Sequence, residues 1–361
     1  MIIAEIRTHH VTAPLHTPFV TALRRTSIVE TLAVEIISEE GTRGFGEAPQ
    51  VWQVTGESVA GARACIEGPL AALITGRDAR DHVGLLREVR RAVAGNGGAK
   101  AAIDIAVHDL LARQLGVPLV QFLGGTETVV TTDVTLSAGP VGELVNGALA
   151  RVAEGFSVLK IKVGTDPVAD VHAVAAVRDA VGPAVKIRLD ANQGWTERRA
   201  VEVIRALEDA QVGVEFVEQP IPAADIDGLA RITAQVDTPI MADETVYDIA
   251  DLVEVIRRHA ADMVNVKLAK CGGLAVATTL LDLATEAGLG TIVGSMMEST
   301  IGVGAAASLA AAYGTTATSD LDAAWWLTQP ANGGLRYEGS RVMLSDRPGL
   351  GIESIEDLQV F

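Results

Sequence analysis

The hydrophobic pattern of the N-terminal third indicates strands followed by helices. Three strand-like runs are separated by prolines and by a Glu-Gly turn at residues 40–41. These runs lie at 2–11, 30–39 and 42–50. Helical runs with apolar residues at three- and four-residue steps follow, and the last of them ends at Gly116 and Pro118. We therefore expect an α+β domain over residues 1–125.

From about Val129 the pattern changes to a regular alternation of short apolar strands with helix-like segments. Eight strand-like runs are present, with VTTDVTLSA the first and ATSDLD the last. Eight such units close naturally into a parallel β/α barrel. The tail has no helical signal and is typical of a hairpin and loop. The predicted fold class is α/β, a modified (β/α)8 barrel of the form (β/α)7β over 126–330. The capping domain is α+β and combines residues 1–125 with a returning tail, 331–361.

Composition and charge narrow the possible functions. The chain has 361 residues, 48% of them hydrophobic, with a net charge of −17 and a pI near 4.8. An acidic chain is a poor partner for nucleic acid or an anionic membrane. We find no signal-peptide pattern and no charge-free apolar run of about 18 residues. Cys65 and Cys271 are far apart and lack metal-type spacing, so we expect a reduced, cytoplasmic setting.

Polar residues occur at one end of successive barrel strands. In chain order they are Lys160 and Lys162, Asp190, Glu218, Asp243, Lys267, Glu298, and finally Asp320 and Asp322. From Lys162 to Lys267 the steps are 28, 28, 25 and 24 residues, which are the lengths of barrel units. Because the carboxyl ends of barrel strands form one face, we expect these side chains to converge.

Three converging carboxylates without a nearby His or Cys suit a hard divalent ion such as Mg²⁺. Without a cation the carboxylates would repel one another, and at least one would take up a proton. A lysine on each side could act as base and acid. We expect burial and positive neighbours to lower the pKa of these lysines toward working pH.

Several short motifs in this order resemble those of the enolase superfamily, in its muconate-lactonizing-enzyme-like branch. Any one of them is a weak signal, but together they span nearly the whole chain. They are Gly44-Phe-Gly-Glu-Ala-Pro49, Lys160-Ile-Lys162, Asp190-Ala-Asn192, Glu218-Gln-Pro220, Ala-Asp243-Glu244, Val-Lys267-Leu-Ala-Lys and Gly294-Ser-Met-Met-Glu298.

The resemblance implies one Mg²⁺ per subunit, held by Asp190, Glu218 and Asp243, with Asn192 and Glu244 supporting the ligands. It also implies abstraction of the proton from the carbon next to a carboxylate, through an enediolate.

In that reaction Lys162 and Lys267 would lie on opposite faces of the reacting carbon. Lys160 would tune Lys162 and contact the substrate carboxylate.

Asp320-Leu-Asp322 distinguishes reactions within the superfamily. In proteins that resemble dipeptide epimerases, an Asp-x-Asp at this place binds the substrate's N-terminal ammonium. Two buried carboxylates need a cation, and a free α-amino group is a suitable one. The resemblance therefore favours a dipeptide substrate, such as L-Ala-D/L-Glu or a related dipeptide.

The capping segment from Pro18 resembles a loop that closes over the substrate, with an arginine for its side-chain carboxylate. Arg24 matches by position and Arg25 is the alternative; arginine suits bidentate capture of a carboxylate. Trp52 would belong to the second part of this lid, and Ser295 and Glu298 would contribute from the seventh strand's loop.

Other functions stay open at this stage. A muconate cycloisomerase or an o-succinylbenzoate synthase would leave Asp320 and Asp322 without a partner. A Schiff-base aldolase would use Lys162 or Lys267 as nucleophile but gives no reason for three carboxylates. A non-catalytic binding protein is a further alternative. We expect a homo-oligomer that acts on a small molecule, with no nucleic-acid or membrane partner.

Overall fold

The computed structural model describes residues 1–20, 25–328 and 333–355. The N-terminal part begins with an antiparallel sheet of three strands in chain order. These are β1 (Ile3–Val20), β2 (Arg25–Ser38) and β3 (Arg43–Pro49). β1 is longer than predicted and continues through Pro14 and Pro18, where its register with β2 shifts. Proline fits there because β1 is an edge strand.

Helices of the capping part pack on this sheet. They are α1 (Val59–Cys65), α2 (Ala71–Ile74), α3 (His82–Ala92), α4 (Gly97–Leu115) and α5 (Leu119–Phe122), and a π-helical turn, Ile66–Leu70, joins the first two. α4 lies directly against β3, because a Cβ at Gly44 or Gly46 would be 2.2 Å from Ala106 O or 1.8 Å from Ala102 O. The two glycines of the GFGEAP motif therefore allow this close approach.

The second part is a parallel sheet of seven strands in sequential order. They are β5 (Val134–Leu136), β6 (Val158–Lys162), β7 (Lys186–Asp190), β8 (Val214–Glu218), β9 (Ile240–Ala242), β10 (Met263–Lys267) and β11 (Gly290–Gly294). A short eighth segment joins both edges, since Ser319 bridges to Thr132 and Asp320 bridges to Gly294. The predicted (β/α)7β barrel is confirmed.

Helices connect these strands, as the alternating pattern predicts. They are α6 (Val141–Ala153), α7 (Pro167–Val181), α8 (Glu197–Asp209), α9 (Ile226–Thr233), α10 (Ile249–Arg258), α11 (Leu268–Cys271), α12 (Leu274–Glu286) and α13 (Thr300–Tyr313). Their starts carry ordinary capping chemistry: Asp166 accepts two backbone N–H bonds ahead of Pro167, and Asp248 forms a capping box with Asp251.

The first predicted barrel strand is divided between two sheets. β4 (Val129–Thr131) pairs with the tail hairpin, β12 (Arg336–Glu338) and β13 (Arg341–Met343), and only β5 enters the barrel. The tail also contacts the capping part, where the Leu350 N–H donates to Asp109 Oδ1 at 2.6 Å.

The domain boundaries at 125/126 and 330/331 stay predictions. Within the described ranges, no helix is long and apolar enough to cross a membrane.

Candidate active site

The predicted polar residues meet at the carboxyl ends of β5–β11, which we call the barrel mouth. Successive parallel strands are in register there, with Lys162 beside Asp190 and Asp190 beside Glu218. The six predicted charged residues from Lys160 to Lys267 are all buried: Lys160, Lys162, Asp190, Glu218, Asp243 and Lys267. The cavity at the mouth has a volume of about 70 Å³. Alternation along each strand brings these groups to one place.

Lys160 lies at the centre of this cluster. Its Nζ is 3.0 Å from Asp190 Oδ2, 2.7 Å from Glu218 Oε2 and 2.7 Å from Asp320 Oδ2. One ammonium group thus pairs with carboxylates from three strands. It links two of the predicted metal ligands to the Asp320 side of the mouth.

Lys162 and Lys267 lie on opposite sides of the carboxylates, because β7, β8 and β9 separate their strands. Lys162 Nζ is 2.6 Å from Asp190 Oδ2, and Lys267 Nζ is 2.7 Å from Asp243 Oδ2. Lys267 also approaches Glu218 Oε1 at 3.8 Å. Two amines therefore face one carboxylate set from two directions.

The prediction of a lowered pKa is wrong for Lys267, one of the two lysines for which it was made. Burial by itself lowers the pKa of Lys267, but Asp243 and Glu218 raise it nonetheless. The carboxylates around Lys160 likewise outweigh its burial and raise its pKa well above the usual range. Carboxylates outnumber lysines at the mouth, as the strand-end residues already indicated.

The pKa values of the buried carboxylates shift in different directions. Burial opposes ionisation of Asp190 and Asp243, yet the neighbouring lysines lower the pKa of both. Burial raises the pKa of Glu218, and the lysines offset this only in part. Burial and the charge of Asp243 raise the pKa of Glu244 to about 8.

Donor chemistry at the mouth suits a hard divalent ion. Glu218 Oε2 forms an ion pair with Lys160. Among the described residues, Glu218 Oε2, Asn192 Oδ1 and Glu244 Oε2 have no hydrogen-bond partner. Buried oxygens with spare capacity are what Mg²⁺ takes as ligands. Asp190 is oriented by the N–H of Asn192, which donates to its Oδ1 at 2.8 Å. These residues therefore fit the predicted ion.

Lys270 is a charged residue of the mouth to which the sequence analysis gave no role. Its Nζ is 2.6 Å from Asp243 Oδ1 and donates to the carbonyl oxygen of Asn265 at 3.1 Å. Lys267 contacts the other oxygen of Asp243, so two ammonium groups orient one carboxylate. The three-residue spacing from Lys267 was the available signal, since it returns the side chain to the same side of a helical turn.

A second group of three acids closes the other side of the mouth. Carboxylate oxygens of Asp133, Asp320 and Asp322 all lie within 4.8 Å of one another. Asp322 Oδ2 accepts hydrogen bonds from the Thr135 N–H at 2.7 Å and from Trp326 Nε1 at 3.0 Å. The predicted pair therefore has a third member.

Asp133 was missed, together with its partner Arg188. Asp133 Oδ2 is 3.0 Å from Arg188 Nη1, while Asp133 Oδ1 has no hydrogen-bond partner among the described residues. Both side chains are fully buried. Asp133 lies two positions before Thr135, and Arg188 lies two positions before Asp190. Because Thr135 and Asp190 face the mouth, strand alternation could have placed both side chains inside the barrel.

Residues after β11 lie at the junction with the capping part. Ser295 lines the mouth cavity, but Glu298 turns back, and its Oε1 accepts a hydrogen bond from the Met296 N–H at 3.0 Å. Burial and the charge of Glu47 raise the pKa of Glu298 to about 8. Glu47, in the GFGEAP motif, accepts hydrogen bonds from Ser299 and Gly302 at the start of α13.

The predicted lid residues have different positions. Arg24 lies outside the described residues. Arg25 lines a neighbouring cavity. Trp52 is 58% exposed, whereas Val51 and Gln53 line the mouth cavity.

Comparisons with known proteins agree with this architecture. Residues 3–124 match the "Mandelate racemase / muconate lactonizing enzyme, N-terminal domain" model, and residues 143–358 match the "Enolase C-terminal domain-like" model. The L-Ala-D/L-Glu epimerase of Bacillus subtilis is 40% identical over 354 residues, covering 98% of this chain and 97% of that protein.

Two solved structures are also similar. A substrate-liganded complex of the Bacillus subtilis epimerase has a TM-score of 0.95 and 39% identity, covering 98% of this chain and 99% of that one. A dipeptide epimerase from Enterococcus faecalis V583, complexed with Mg and L-Leu-L-Tyr, has a TM-score of 0.94 and 38% identity, covering 98% of this chain and all of that one, 100%. The chain belongs to the mandelate racemase and muconate lactonizing enzyme family of the enolase superfamily.

Proposed function

We propose that this protein is a Mg²⁺-dependent dipeptide epimerase, an isomerase that inverts the α-carbon of the dipeptide's second residue. The observation that carries this proposal is the pair of buried amines, Lys162 and Lys267, on opposite sides of one carboxylate set. Inversion requires a proton to leave one face of the carbon and another to arrive at the opposite face. Two amines on opposite sides can perform both transfers.

Asp190, Glu218 and Asp243 would hold the Mg²⁺. Bound there, the ion would supply positive charge for these carboxylates and for the negative charge that develops on the substrate carboxylate. Asn192 and Lys270 orient two of the three acids through the contacts described above. Lys160 has three carboxylate partners, and its ammonium would help to hold the substrate carboxylate.

The second acid group supports a substrate with a free ammonium. Of its three carboxylates, Asp133 pairs with Arg188 and Asp320 pairs with Lys160, while Asp322 accepts hydrogen bonds from two neutral N–H donors. Arg188 also pairs with Glu215, and Lys160 also pairs with Asp190 and Glu218, so the group has fewer positive charges than carboxylates. An α-ammonium would supply a further positive charge, since it has three N–H donors and needs acceptors when it is buried.

Rival functions explain less of this arrangement. Neither muconate cycloisomerisation nor o-succinylbenzoate synthesis brings an ammonium to the second acid group. A Schiff-base aldolase uses one lysine as its nucleophile and gives no role to the second lysine or to three converging carboxylates. The expectations of a homo-oligomer and of a cytoplasmic location stay predictions.

The proposal is tested by incubating the protein with Mg²⁺ and L-Ala-L-Glu in D₂O and following the α-protons by NMR. We expect deuterium at the α-carbon of the second residue, together with formation of the L,D epimer. N-acetyl-L-Ala-L-Glu is the matched control, because it keeps the reacting carbon and lacks the ammonium. Absence of exchange across a panel of free dipeptides with Mg²⁺ present would overturn the proposal.

A further inference from the structure

A second cavity, of about 410 Å³, lies beside the barrel mouth, where the free volume is only about 70 Å³. One wall is the end of the hairpin formed by β1 and β2, which we call the capping hairpin. Thr17, Pro18 and Val20 of β1 and Arg25 of β2 line it. The opposite wall is the segment 135–140 and one face of α6, from Glu143 to Arg151. We call this space the side cavity. It has the larger volume of the two spaces.

The side cavity adjoins the second acid group. Thr135 lines both the mouth and the side cavity. Its N–H donates to Asp322 Oδ2, and so does Nε1 of Trp326, another residue of the side-cavity wall. An ammonium group held by Asp322 would thus lie at the boundary between the two spaces.

The inner wall of the side cavity is largely apolar. Leu136, Leu144 and Trp326 are buried there, and Ala138 and Gly147 leave room between them. The Ser137 hydroxyl already accepts a hydrogen bond from the Val20 N–H at 3.0 Å. Arg151, whose guanidinium pairs with Glu154 at 3.1 Å, has an ionic partner of its own. Arg25 and Glu143 also line the cavity, but both are exposed, so its buried inner part suits an apolar group.

We propose that the side cavity binds the side chain of the substrate's first residue, and that the protein accepts dipeptides beginning with a large apolar amino acid. The assignment rests on the proposed epimerase function. Asp322 marks the position of the first residue's ammonium, whereas Lys162 and Lys267 mark the α-carbon of the second. Because the side cavity adjoins Asp322, the first side chain is the one that it can take.

Gly147 allows a direct test of this assignment. A Cβ built at Gly147 would meet only Leu136 Cδ2, at an ordinary 3.7 Å, so a larger side chain would extend into the side cavity without moving the backbone. Gly142 lies on the same helix, and a Cβ there would meet nothing within 4 Å. Gly147→Leu and Gly142→Leu therefore make the same chemical change on α6, but only the first fills the side cavity.

The measurement is kcat/KM for epimerisation with Mg²⁺ on two series, X-L-Glu and L-Ala-L-X, where X is Ala, Leu or Phe. The wild type should turn over L-Leu-L-Glu and L-Phe-L-Glu at least as well as L-Ala-L-Glu. Gly147→Leu should lower kcat/KM for these two substrates at least about tenfold, the scale on which a blocked apolar pocket discriminates. It should leave L-Ala-L-Glu within about twofold, and Gly142→Leu should change neither series.

Three results would overturn the inference: rejection of L-Leu-L-Glu by the wild type, an equal effect of Gly147→Leu on every X-L-Glu, or an effect confined to the L-Ala-L-X series. If Gly147→Leu unfolds, Gly147→Ala gives the same comparison with a smaller expected ratio. Failure of the proposed function is a separate result, because the wild type would then exchange no α-proton in any dipeptide, L-Ala-L-Glu included.

Discussion

The barrel mouth and the capping hairpin face the same space but are held in different ways. At the mouth, Lys160, Lys162 and Lys267 each have a carboxylate partner within 3 Å, and all of these groups are buried. The end of the hairpin contacts the barrel part through the rings of His16 and Phe19, which pack against Trp326, and through a few backbone hydrogen bonds. Examples are Ala138 N–H to Val20 O at 3.3 Å and Thr328 N–H to Pro14 O at 3.0 Å.

The mouth therefore suits the chemical step, and the capping hairpin suits the choice of substrate. Side chains on adjacent strands cannot move apart without breaking the sheet, so the reacting groups keep their positions. A hairpin end that is held by a few ring contacts and hydrogen bonds, without ion pairs like those of the mouth, can vary in sequence, which suits a part that selects substrates. We therefore expect substitutions at the mouth to remove activity and substitutions at the hairpin to redistribute it among substrates.

The largest expected effect is at the two opposed lysines. Lys162→Gln and Lys267→Gln should each lower the rate of epimerisation at least about a thousandfold, because general acid–base groups contribute 10²–10⁴-fold and inversion needs both. Each variant should still exchange the α-proton of one epimer in D₂O, and the two variants should differ in which epimer that is. NMR of L-Ala-L-Glu and L-Ala-D-Glu measures this directly.

Lys186→Gln is the matched control, since Lys186 is the exposed lysine that begins β7, at the opposite end of the barrel from the mouth. It should leave the rate unchanged. Exchange of both epimers by either active-site variant at the wild-type rate would contradict the assignment of the two amines.

The next effect concerns stability inside the barrel. Arg188 is fully buried, pairs with Asp133 at 3.0 Å and with Glu215 at 2.7 Å, and donates to Thr318 O at 2.7 Å. Arg188→Met should cost about 3–5 kcal/mol of unfolding free energy, because it leaves the buried carboxylate of Asp133 without its counter-charge. Denaturant unfolding of the two proteins gives the difference.

Two further variants show whether burial is the cause. Lys186→Met removes the exposed partner of the same Glu215, at 2.8 Å, and should cost at most about 1 kcal/mol. Adding Asp133→Asn to Arg188→Met should recover part of the loss, since the unpaired charge is then gone. Equal costs for Arg188→Met and Lys186→Met would contradict this account.

Sequence reasoning succeeded where strand geometry alone decides position. Lys162, Asp190 and Lys267 end their strands as expected, because alternation and unit length determine which residues face the mouth. It missed Asp133, which lies one layer deeper, and Lys270, which lies on the helical turn after β10. Strand alternation and the three-residue step from Lys267 could have placed both residues, but their partners belong to elements distant in sequence, which no local pattern contains.

The lid was harder to predict for a similar reason. Whether Trp52 or its neighbour Gln53 faces the cavity depends on how one loop docks on the barrel, and the periodicity of strands and helices does not extend into loops. The pKa of Lys267 also escaped prediction, because it depends on a balance of charges from several strands.

The last expected effect depends on pH and concerns the junction with the capping part, where burial and the charge of Glu47 raise the pKa of Glu298 to about 8. In the unfolded chain this carboxyl has its ordinary pKa of about 4.3. Between these two values the folded protein binds a proton that the unfolded chain has released, so stability should fall as pH rises through this window. The slope is at most about 1.4 kcal/mol per pH unit for one proton.

Glu298→Gln keeps the shape and removes the titration, so the difference in unfolding free energy between variant and wild type should grow from pH 5 to pH 8. Parallel stability curves over that range would mean that Glu298 is ionised in the folded protein, and that the capping strand does not hold its carboxyl in the neutral form.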